Sequence, residues 1–448
     1  MMNSYANEVS AQLRQHYANE PEYLQSVLTW LEMIDPALND PRYAKMDLLT
    51  RMVEPDREFK FLVPWVDDAG NAHTNHGYRV QFSSAIGPYK GGLRFHPSVN
   101  SSIVKFLGFE QTYKNALTGL PIGGASGGAD FDPRGKSPRE IMRFCQSFMT
   151  ALYRYIGADT DIPAGDIGVG SREIGYLYGA YKRLTGRSES SALTGKGLTY
   201  GGSQIRQEAA GFGVIYFLAR MLEHQHTDME GKRIAISGFG NMSWGVCRKA
   251  FEMGAKVVTI SGPDGYVFIP DGISSQEQLD FMHRMRVSGH DRVEEFAQEF
   301  GAEYYAGKKP WEVPADVVIP CATQNEIHTE DAVKIVGNGV KYYVEAANMP
   351  ATAKALQLLR LSPQILTAGA KAASSGGVAV SALEMVQNSI RYSWSRKEVD
   401  EKLRAIMNSI YDASAEAAEE YGLGYDLIAG NDIAAFRRIS EAMLAQGL

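Results

Sequence analysis

A short apolar strand that runs into a glycine-rich turn and then into a helix limits the folds open to this chain. Residues 233–237 form the apolar stretch, Gly238-Phe239-Gly240 form the turn, and residues 241–253 repeat apolar side chains at helical spacing. Further strands are predicted at 256–261, 317–319 and 342–344. Strands that alternate with helices are typical of a doubly wound parallel sheet. We therefore predict that the second half of the chain is a Rossmann-like α/β domain.

The first half of the chain combines helices and strands without that regular alternation. Residues 1–55 repeat apolar side chains at helical spacing, and strands are predicted at 58–66 and 76–82. Helices are predicted at 101–117 and at 137–156, where Ser137, Pro138 and Glu140 give a capped, acidic first turn. This half is expected to contain a mixed sheet.

The composition is that of an ordinary globular protein, and it argues against several classes of function. The net charge is −7 and no long block of lysine and arginine occurs, so nucleic acid is not an expected partner. No apolar stretch reaches the roughly 18 residues that a membrane span needs. The first residues lack the basic and apolar regions of a signal peptide, which favours a cytoplasmic protein.

The cysteines and histidines do not form the patterns of a disulfide framework or a metal site. Cys145, Cys247 and Cys321 are far apart and odd in number, so each is predicted to be a small buried hydrophobe in a reducing compartment. The short histidine pairs at 73/76 and 224/226 lack a sustained pattern of carboxylate or thiolate partners. No metal is predicted.

The glycine turn at 238–240 has the geometry that a dinucleotide requires. Gly238 permits a tight turn, and Gly240 lets a pyrophosphate approach the backbone N–H groups at the start of the helix. Ser243 takes the third small-residue position. A glycine-rich turn without a ligand is the alternative, and the strand before and the helix after favour the dinucleotide.

The end of the second predicted strand bears on the choice of dinucleotide. It reads Ser261-Gly262-Pro263-Asp264, with Asp264 as the nearest carboxylate for a ribose hydroxyl. No arginine or lysine stands beside it in the sequence to bind a 2′-phosphate. NAD is therefore the predicted cofactor, with NADP still possible.

Several strings spread over nearly the whole chain resemble the hexameric glutamate dehydrogenases of the Glu/Leu/Phe/Val dehydrogenase superfamily. They include Gly87-Pro88-Tyr89-Lys90-Gly91-Gly92, Pro121-Ile122-Gly123-Gly124, Asp130-Phe131-Asp132-Pro133, Pro163-Ala164-Gly165-Asp166, Cys321-Ala322-Thr323-Gln324-Asn325 and Ala347-Asn348-Met349-Pro350. Together these strings are highly specific. The resemblance implies an NAD(P)-dependent oxidoreductase that converts L-glutamate and water into 2-oxoglutarate and ammonium.

The resemblance also implies the residues that bind the substrate. Lys90 and Ser381 match the groups that hold the side-chain carboxylate, and Gln111 and Lys114 match those that hold the α-carboxylate. Asp166 matches the aspartate that transfers protons. The implied substrate site is completed by Ala164, Arg206 and Val378.

The implied cofactor site draws on several loops of the second half. Its residues are Gly238, Phe239, Gly240, Asn241, Met242, Ser261, Pro263, Asp264, Ala210, Cys321, Ala322, Thr323, Gln324 and Asn348. Phe239 and Pro263 match the NAD-preferring members of the family.

Two domains are expected, because 448 residues exceed what one hydrophobic core usually supports. We predict a substrate-binding and oligomerisation domain over residues 1–200, completed by a C-terminal helix over 425–448. Residues 201–424 are predicted to form the NAD(P)-binding domain. The resemblance further implies a cleft that closes between the domains and a homohexamer.

The chain departs from the family pattern at positions that belong to one cleft. Ser126 stands where the family has the lysine that polarises the substrate and activates water. Ala210 replaces a threonine, Gln207 a proline and Ser374 an asparagine. Ala379 replaces a larger residue beside Ser381. Such clustering suggests altered chemistry or redesign, because neutral drift would scatter the changes.

Three functions remain open on the sequence alone. The first is an amino-acid dehydrogenase, nominally of glutamate, that is slowed or shifted in substrate by Ser126. The second is a reductase or amine dehydrogenase for a carbonyl or imine without the α-carboxylate, against which the retained Lys90 and Lys114 weigh. The third is a catalytically inactive subunit of a hexamer.

Overall fold

The computed structural model describes residues 3–288 and 292–447, which pack into two compact units. The first unit comprises the chain up to Gln204, together with Ala379–Val399 and the residues from Asp432 onward. The second unit comprises Ile205–Val378 and Asp400–Asn431. Within the described ranges, no helix has both the length and the apolar composition that crossing a membrane requires.

The units differ from the predicted domains at three places. Residues 201–204 and 379–399, predicted in the second domain, pack with the first unit. Residues 425–431, predicted in the first domain, pack with the second unit. Hydrogen bonds explain the position of residues 379–399. The Glu384 carboxylate accepts from the Gly195 N–H at 3.0 Å and from Lys196 Nζ at 2.6 Å. Gln387 Nε2 donates to Ser203 Oγ at 2.8 Å, across 184 residues of sequence. Local sequence patterns carry no signal of contacts this distant.

The first unit begins with helices and continues with the strands of its sheet. Its elements in chain order are α1 (Ser4–His16), α2 (Pro21–Ile34), α3 (Pro41–Lys45), α4 (Leu48–Val53), β1 (Arg57–Val66), β2 (Ala72–Ser83), β3 (Tyr89–Phe95), α5 (Ser101–Leu117), β4 (Gly124–Ala129), α6 (Pro138–Leu152), β5 (Asp161–Gly165) and α7 (Ser171–Thr185). Helix α6 ends earlier than predicted, because a 3-10 turn, Tyr153–Tyr155, follows it. Its predicted cap is confirmed: Ser137 and Glu140 form a reciprocal capping box.

The sheet of the first unit is mixed, as predicted. Its strand order is β1-β2-β4-β3-β5; β1/β2 and β2/β4 are antiparallel, whereas β3 is parallel to both β4 and β5. One face packs against α6 and α7 through a buried aromatic cluster that includes Phe95, Phe144 and Phe148. Each such ring contributes about 2 kcal/mol by burial. The sheet is therefore anchored from that side.

The second unit carries the alternating strands and helices. Its elements are α8 (Ala209–His224), β6 (Arg233–Ile236), α9 (Asn241–Glu252), β7 (Lys256–Val257), β8 (Thr259–Gly262), β9 (Gly265–Phe268), α10 (Gln276–Ser288), α11 (Glu294–Phe300), β10 (Glu303–Ala306), β11 (Val317–Ile319), α12 (Thr329–Gly337), β12 (Tyr342–Val344), α13 (Ala353–Leu361), β13 (Leu366–Ala368) and α14 (Ala370–Ala373). Three further helices contain residues of both units: α15 (Gly376–Ile390), α16 (Arg396–Glu420) and α17 (Leu427–Gln446).

The main sheet of the second unit is fully parallel, which confirms the doubly wound prediction. Its strand order is β13-β12-β11-β6-β7. From β6 the chain passes through α9 to β7 on one side, and it later returns to β11 on the other side of β6. The order of the strands therefore reverses between β6 and β11. Parallel α/β sheets bind their ligands at such a switch point, outside the carboxyl ends of the strands.

One predicted strand of this unit is divided in the structure. The predicted run 256–261 forms β7 in the parallel sheet and β8 in a separate sheet of order β10-β9-β8. Strand β8 pairs antiparallel with β9 through the tight turn at Gly262–Gly265. The sequence analysis missed this small sheet, because its strands have four residues each and short runs give little periodicity.

The three cysteines are free and buried, as predicted. Cys145 belongs to the first unit, and Cys247 and Cys321 belong to the second. Burial raises the pKa of each thiol above its usual range. All three thiols therefore stay protonated and unreactive in the folded chain.

Candidate active site

The face of the first sheet that points away from α6 and α7 carries most of the predicted substrate residues. Lys90 and Arg94 alternate on β3 with Leu93 and Phe95, which pack into the core of the opposite face. In the register of the sheet, Gly92 pairs with Ala164. The pairing of Leu93 with Gly127 brings Ser126 beside Gly92. Ser126 and Ala164 thus share a face with Lys90.

Helix α5 lies over this same face and brings Gln111 and Lys114 to it. A Cβ built on Gly108 of α5 would lie 3.4 Å from Phe82 Cβ and 3.6 Å from the Ser126 N atom, so the helix runs close to β4. Asn115 Nδ2 donates to the Lys90 carbonyl at 3.0 Å and so ties the helix to β3. Gln111 Nε2 donates to Asn115 Oδ1 at 2.6 Å, one turn away.

Lys90 and Ser381, which were predicted to act together, are joined through Thr194. Lys90 Nζ donates to Thr194 Oγ1 at 2.9 Å, and Thr194 Oγ1 lies 3.4 Å from Ser381 Oγ. The three side chains are buried, with Lys90 1% exposed and Thr194 0% exposed. A buried ammonium with two hydroxyls is suited to a carboxylate, which needs a cation and several donors. The sequence analysis missed the link through Thr194, which has no local signal.

Asp166 has a cationic partner that the sequence analysis missed. Arg94 Nε donates to Asp166 Oδ2 at 2.8 Å. The two residues are two strand positions beyond Gly92 and Ala164 in the register of β3 and β5, which explains why they meet. The Asp166 side chain is 33% exposed, so the carboxylate is held by Arg94 yet remains accessible. A carboxylate that is fixed and accessible is suited to exchanging protons with a bound ligand.

Burial alters the acidity of Lys114. Desolvation lowers its pKa to about 8, and the negative charges of Glu110 and Asp166 oppose the fall. Its ammonium group therefore titrates close to the pH at which enzymes work. Below pH 8 Lys114 can bind an anion, and above it the charge is lost.

Ser126 is 4% exposed and lies beside Gly92, with Ala164 on the other side of Gly92. The Ser126 hydroxyl can donate one hydrogen bond and accept two, but it carries no charge near neutral pH. The lysines of the site, Lys90 and Lys114, belong to other elements, β3 and α5.

The opposite face of the sheet holds the strands in register beneath the site. Arg79 and Asp161 form an ion pair in which both side chains are 0% exposed. The Arg79 guanidinium also donates to the Gly92 carbonyl at 3.3 Å, and Gln81 Nε2 donates to Asp161 Oδ2 at 3.1 Å. These bonds connect β2, β3 and β5. They therefore fix the spacing between the residues on the ligand-facing side of these strands.

In the second unit the glycine turn follows β6 at the switch point. Gly238 has φ +74° and its N–H donates to Ser261 Oγ at 2.9 Å. A Cβ at Gly238 would lie 2.9 Å from Ser243 Oγ, whereas a Cβ at Gly240 would meet nothing within 4 Å. The space next to Gly238 is thus filled, whereas the space next to Gly240, at the start of α9, is open. This is the arrangement that a pyrophosphate needs, and the residues present fit a dinucleotide.

The loop after β11 stands next to this turn. Ala322, Thr323 and Gln324 are exposed there, whereas Cys321 is buried beneath them. Phe239 is buried against Gly262, and Pro263 and Asn348 are exposed. The predicted cofactor residues of β6, β8 and β11 therefore gather around the carboxyl ends of neighbouring strands.

Comparison with known proteins assigns the family. Residues 201–447 match the family described as Glutamate/Leucine/Phenylalanine/Valine dehydrogenase, and residues 55–183 match its dimerisation domain. The chain belongs to this family.

Named relatives agree with this assignment over the full length of the chain. The NAD-specific glutamate dehydrogenase of Clostridium symbiosum is 53% identical over 448 residues, which is 100% of each chain. The NADP-specific glutamate dehydrogenase of Psychrobacter sp. (strain TAD1) is 49% identical and covers 96% of this chain and 97% of its own. A solved glutamate dehydrogenase structure superposes with a TM-score of 0.98 at 52% identity, with 100% of both chains covered.

Asp264, the predicted ribose-binding carboxylate of this family member, is already engaged by the protein. Its Oδ1 accepts from the Val293 N–H and its Oδ2 from the Glu294 N–H, each at 3.1 Å, at the start of α11. The Tyr304 hydroxyl lies 2.8 Å from the Asp264 carbonyl oxygen and 3.2 Å from Asp264 Oδ2. The two backbone N–H groups therefore fix the carboxylate in place.

A cation lies near the glycine turn, although none stands beside Asp264 in the sequence. Arg286 of α10 donates to Asn241 Oδ1 at the start of α9, and its guanidinium lies 5.1 Å from the centre of the Trp244 ring. Its Nη2 also lies 2.9 Å from His283 Nε2. Because Arg286 can only donate, His283 Nε2 accepts. The sequence analysis missed this cation because it is 45 residues from Asn241.

Apart from Ala379, which belongs to the first unit, the remaining predicted or departing positions lie in the second unit. Ala210 is in the first turn of α8, and a Cβ on Gly377 would lie 3.4 Å from its Cβ. Ser374 Oγ donates to the Ala370 carbonyl at 2.7 Å, and Val378 lies in the first turn of α15. Arg206 precedes α8, next to Ile205, which has φ +66°. Met242 follows Asn241 in the first turn of α9. Three of these positions, Ala210, Ser374 and Val378, thus surround the α8–α15 contact.

Proposed function

We propose that this family member catalyses the NAD(P)-linked interconversion of L-glutamate and 2-oxoglutarate, with NAD as the preferred dinucleotide. The observation that carries the proposal is the buried Lys90–Thr194–Ser381 group, together with Lys114 on the facing helix. Two separate cations suit a substrate with two carboxylates. Relatives named as NAD-specific and NADP-specific glutamate dehydrogenases support the same reading.

In the binding mode that we propose, one cation binds each carboxylate of the substrate. Lys90, with Thr194 and Ser381, binds the side-chain carboxylate; Lys114 and Gln111 bind the α-carboxylate. Holding both ends of the ligand fixes the position of its α-carbon. An uncharged ketone would offer neither lysine a carboxylate to bind, which argues against the carbonyl reductase alternative.

The dinucleotide would be held by the glycine turn at the start of α9 and by the loop after β11. When bound, its nicotinamide ring accepts or returns the hydride of the amino acid's α-carbon. The backbone N–H groups after Gly240 supply donors for the pyrophosphate, and Arg286 supplies a cation close by.

We propose that the Asp166 carboxylate carries out the proton transfers. This carboxylate is fixed by Arg94 and accessible, so it can take a proton from the substrate ammonium and return it to the departing ammonia. Addition of water to the substrate iminium lacks a lysine at position 126. We propose that Ser126 only orients this water by hydrogen bonds and that turnover is slow. Losing one electrostatic group of this kind typically costs on the order of 10²- to 10³-fold.

The decisive experiment is an assay with 2-oxoglutarate, ammonium and NADH, followed at the absorbance of NADH, and a matched assay with ketones that lack a carboxylate. Turnover that requires the 2-oxo dicarboxylate supports the proposal. Turnover with the uncharged ketones alone would replace it by the reductase alternative. NADH binding without any turnover would indicate an inactive subunit.

We also propose a cytoplasmic homohexamer. Strand β1 is the edge of the first sheet and exposes Leu62 and Val66, and it lies within residues 55–183, which match the dimerisation domain of the family. Exposed apolar edge strands invite pairing with another chain. The cysteine pattern, which offers no disulfide framework, supports the reducing compartment.

A further inference from the structure

A pair of polar side chains joins the two loops that leave the switch point of the second unit. Ser237 follows β6, and Glu326 lies in the loop after β11. Ser237 Oγ donates to Glu326 Oε1 at 2.9 Å. Ser237 Oγ also accepts from the Cys321 N–H at 2.8 Å and from the Ala322 N–H at 3.2 Å. One hydroxyl thus connects the end of one strand with the loop of its neighbour.

The direction of these bonds depends on Glu326. A serine hydroxyl has one proton and two lone pairs. For Ser237 to accept both backbone N–H groups, its proton must point elsewhere, and Glu326 Oε1 is the acceptor that takes it. Glu326 Oε1 also accepts from the Ala322 N–H at 3.1 Å. Without an acceptor at Glu326, the hydroxyl loses the geometry that holds the loop.

The pair acts on the backbone that faces the predicted dinucleotide. Ser243 Oγ donates to the Ser237 carbonyl at 3.0 Å, and a Cβ on Gly238 would lie 3.3 Å from Ala322 Cα. The glycine turn and the 321–324 loop are therefore in close contact. Lys309 Nζ holds the other end of the loop through the Glu326 carbonyl at 2.6 Å.

We propose that Ser237 and Glu326 are positioning residues that set the spacing between the glycine turn and the 321–324 loop, and hence the affinity for the dinucleotide. The proposal rests on the dinucleotide site of the proposed function and on no substrate chemistry. Neither side chain belongs to the set that sequence resemblance assigns to the cofactor, and both act through the backbone of residues that do. Burial raises the pKa of Glu326, and the bonds from Ser237 and the Ala322 N–H favour its carboxylate form.

Electrostatics and positioning predict opposite effects for Glu326→Leu. The substitution removes both acceptor oxygens and also a negative charge near the site of the pyrophosphate, and the loss of charge by itself would tighten NADH binding. Loss of the acceptor that orients the Ser237 hydroxyl would instead weaken NADH binding. A hydrogen bond to a charged group of this kind corresponds to roughly tenfold in affinity.

The test is a titration of the full-length chain with NADH at pH 8, followed by the fluorescence of the bound dinucleotide. Glu326→Leu is expected to weaken NADH binding about tenfold. Ser237→Ala is expected to weaken it similarly. The double variant is expected to bind NADH as well as the more weakly binding single variant, because both substitutions remove the same bond. If Glu326→Leu does not fold, Ser237→Ala decides the question alone.

Glu330→Leu is the matched control, because Glu330 undergoes the same change while exposed on α12. The NADH affinity of this control should equal that of the parent chain. Unchanged or tighter binding in Glu326→Leu, or fully additive effects in the double variant, would overturn the proposal. A parent chain that binds NADH without turning over 2-oxoglutarate would contradict the proposed function and leave this inference standing.

Discussion

Ser126 occupies the position where the resemblance to the family implies a catalytic lysine. The two lysines of this site have other positions: Lys90 donates to Thr194, and Lys114 lies on α5 with a pKa of about 8. Gly92, the neighbour of Ser126 on β3, has no side chain. The expected effect of the serine is therefore a loss of charge.

Restoring a lysine should restore rate. We expect Ser126→Lys to increase the turnover of 2-oxoglutarate with ammonium and NADH by at least about tenfold, because it returns a cation to the site of water addition. Steady-state kinetics of both chains provide the measurement, and Ser126→Ala, which removes the hydroxyl without adding a charge, is the control. An unchanged rate in the lysine variant would show that the charge at position 126 does not limit turnover.

Lys114 should give the enzyme a pH limit for substrate binding. Burial lowers its pKa to about 8, so its charge is present below that pH and lost above it. We expect the KM for 2-oxoglutarate to rise above pH 8 while the KM for NADH stays level. In Lys114→Arg, whose side chain remains charged, the rise should disappear even if the absolute KM is higher. A rise that persists in the arginine variant would point to another group.

At the scale of elements, the turn between β6 and α9 depends on glycine for two separate reasons. Gly238 has φ +74°, and a Cβ there would lie 2.9 Å from Ser243 Oγ. Gly231 has a similar φ of +68°, but a Cβ there would meet nothing within 4 Å. The two positions therefore separate the cost of backbone strain from the cost of crowding.

We expect Gly231→Ala to lose about 1 kcal/mol of unfolding free energy through strain alone. Gly238→Ala should lose more, and it should also weaken NADH binding, because the turn must move away from Ser243 and Ala322. Chemical denaturation and NADH titration of both variants supply the measurements. Equal losses of unfolding free energy in the two variants would show that the crowding of a Cβ at position 238 costs no stability.

Elements with strong local signals were predictable, and contacts between distant segments were not. Helix α5 and strands β11 and β12 have the bounds that the sequence predicts, because caps and apolar runs mark them locally. The same holds for the glycine turn. By contrast, the Arg94–Asp166 pair depends on the register between two strands, and the approach of Arg286 to Asn241 depends on the packing of α10. Neither leaves a trace in the neighbouring sequence.

At the scale of the whole molecule, the edge strand β1 should control assembly. Leu62 is 61% exposed on this strand. We expect Leu62→Glu to dissociate the oligomer into smaller species, because it places a charge on an apolar edge. Light scattering coupled to size-exclusion chromatography gives the mass.

Val333→Glu provides the comparison for assembly. Val333 is 55% exposed on α12 of the second unit, so the variant carries the same added charge on a different surface. Its mass should equal that of the parent chain. If both variants remain fully assembled, β1 is not part of the interface.

The three buried thiols can report the transient unfolding of the units that contain them. Cys145 is sealed in the first unit and Cys247 and Cys321 in the second, each protonated by burial. A thiol reagent can reach a sulfur only when the surrounding unit transiently unfolds. Mass spectrometry of the labelled peptides would then give the rate of transient unfolding of each unit separately, without introducing a probe.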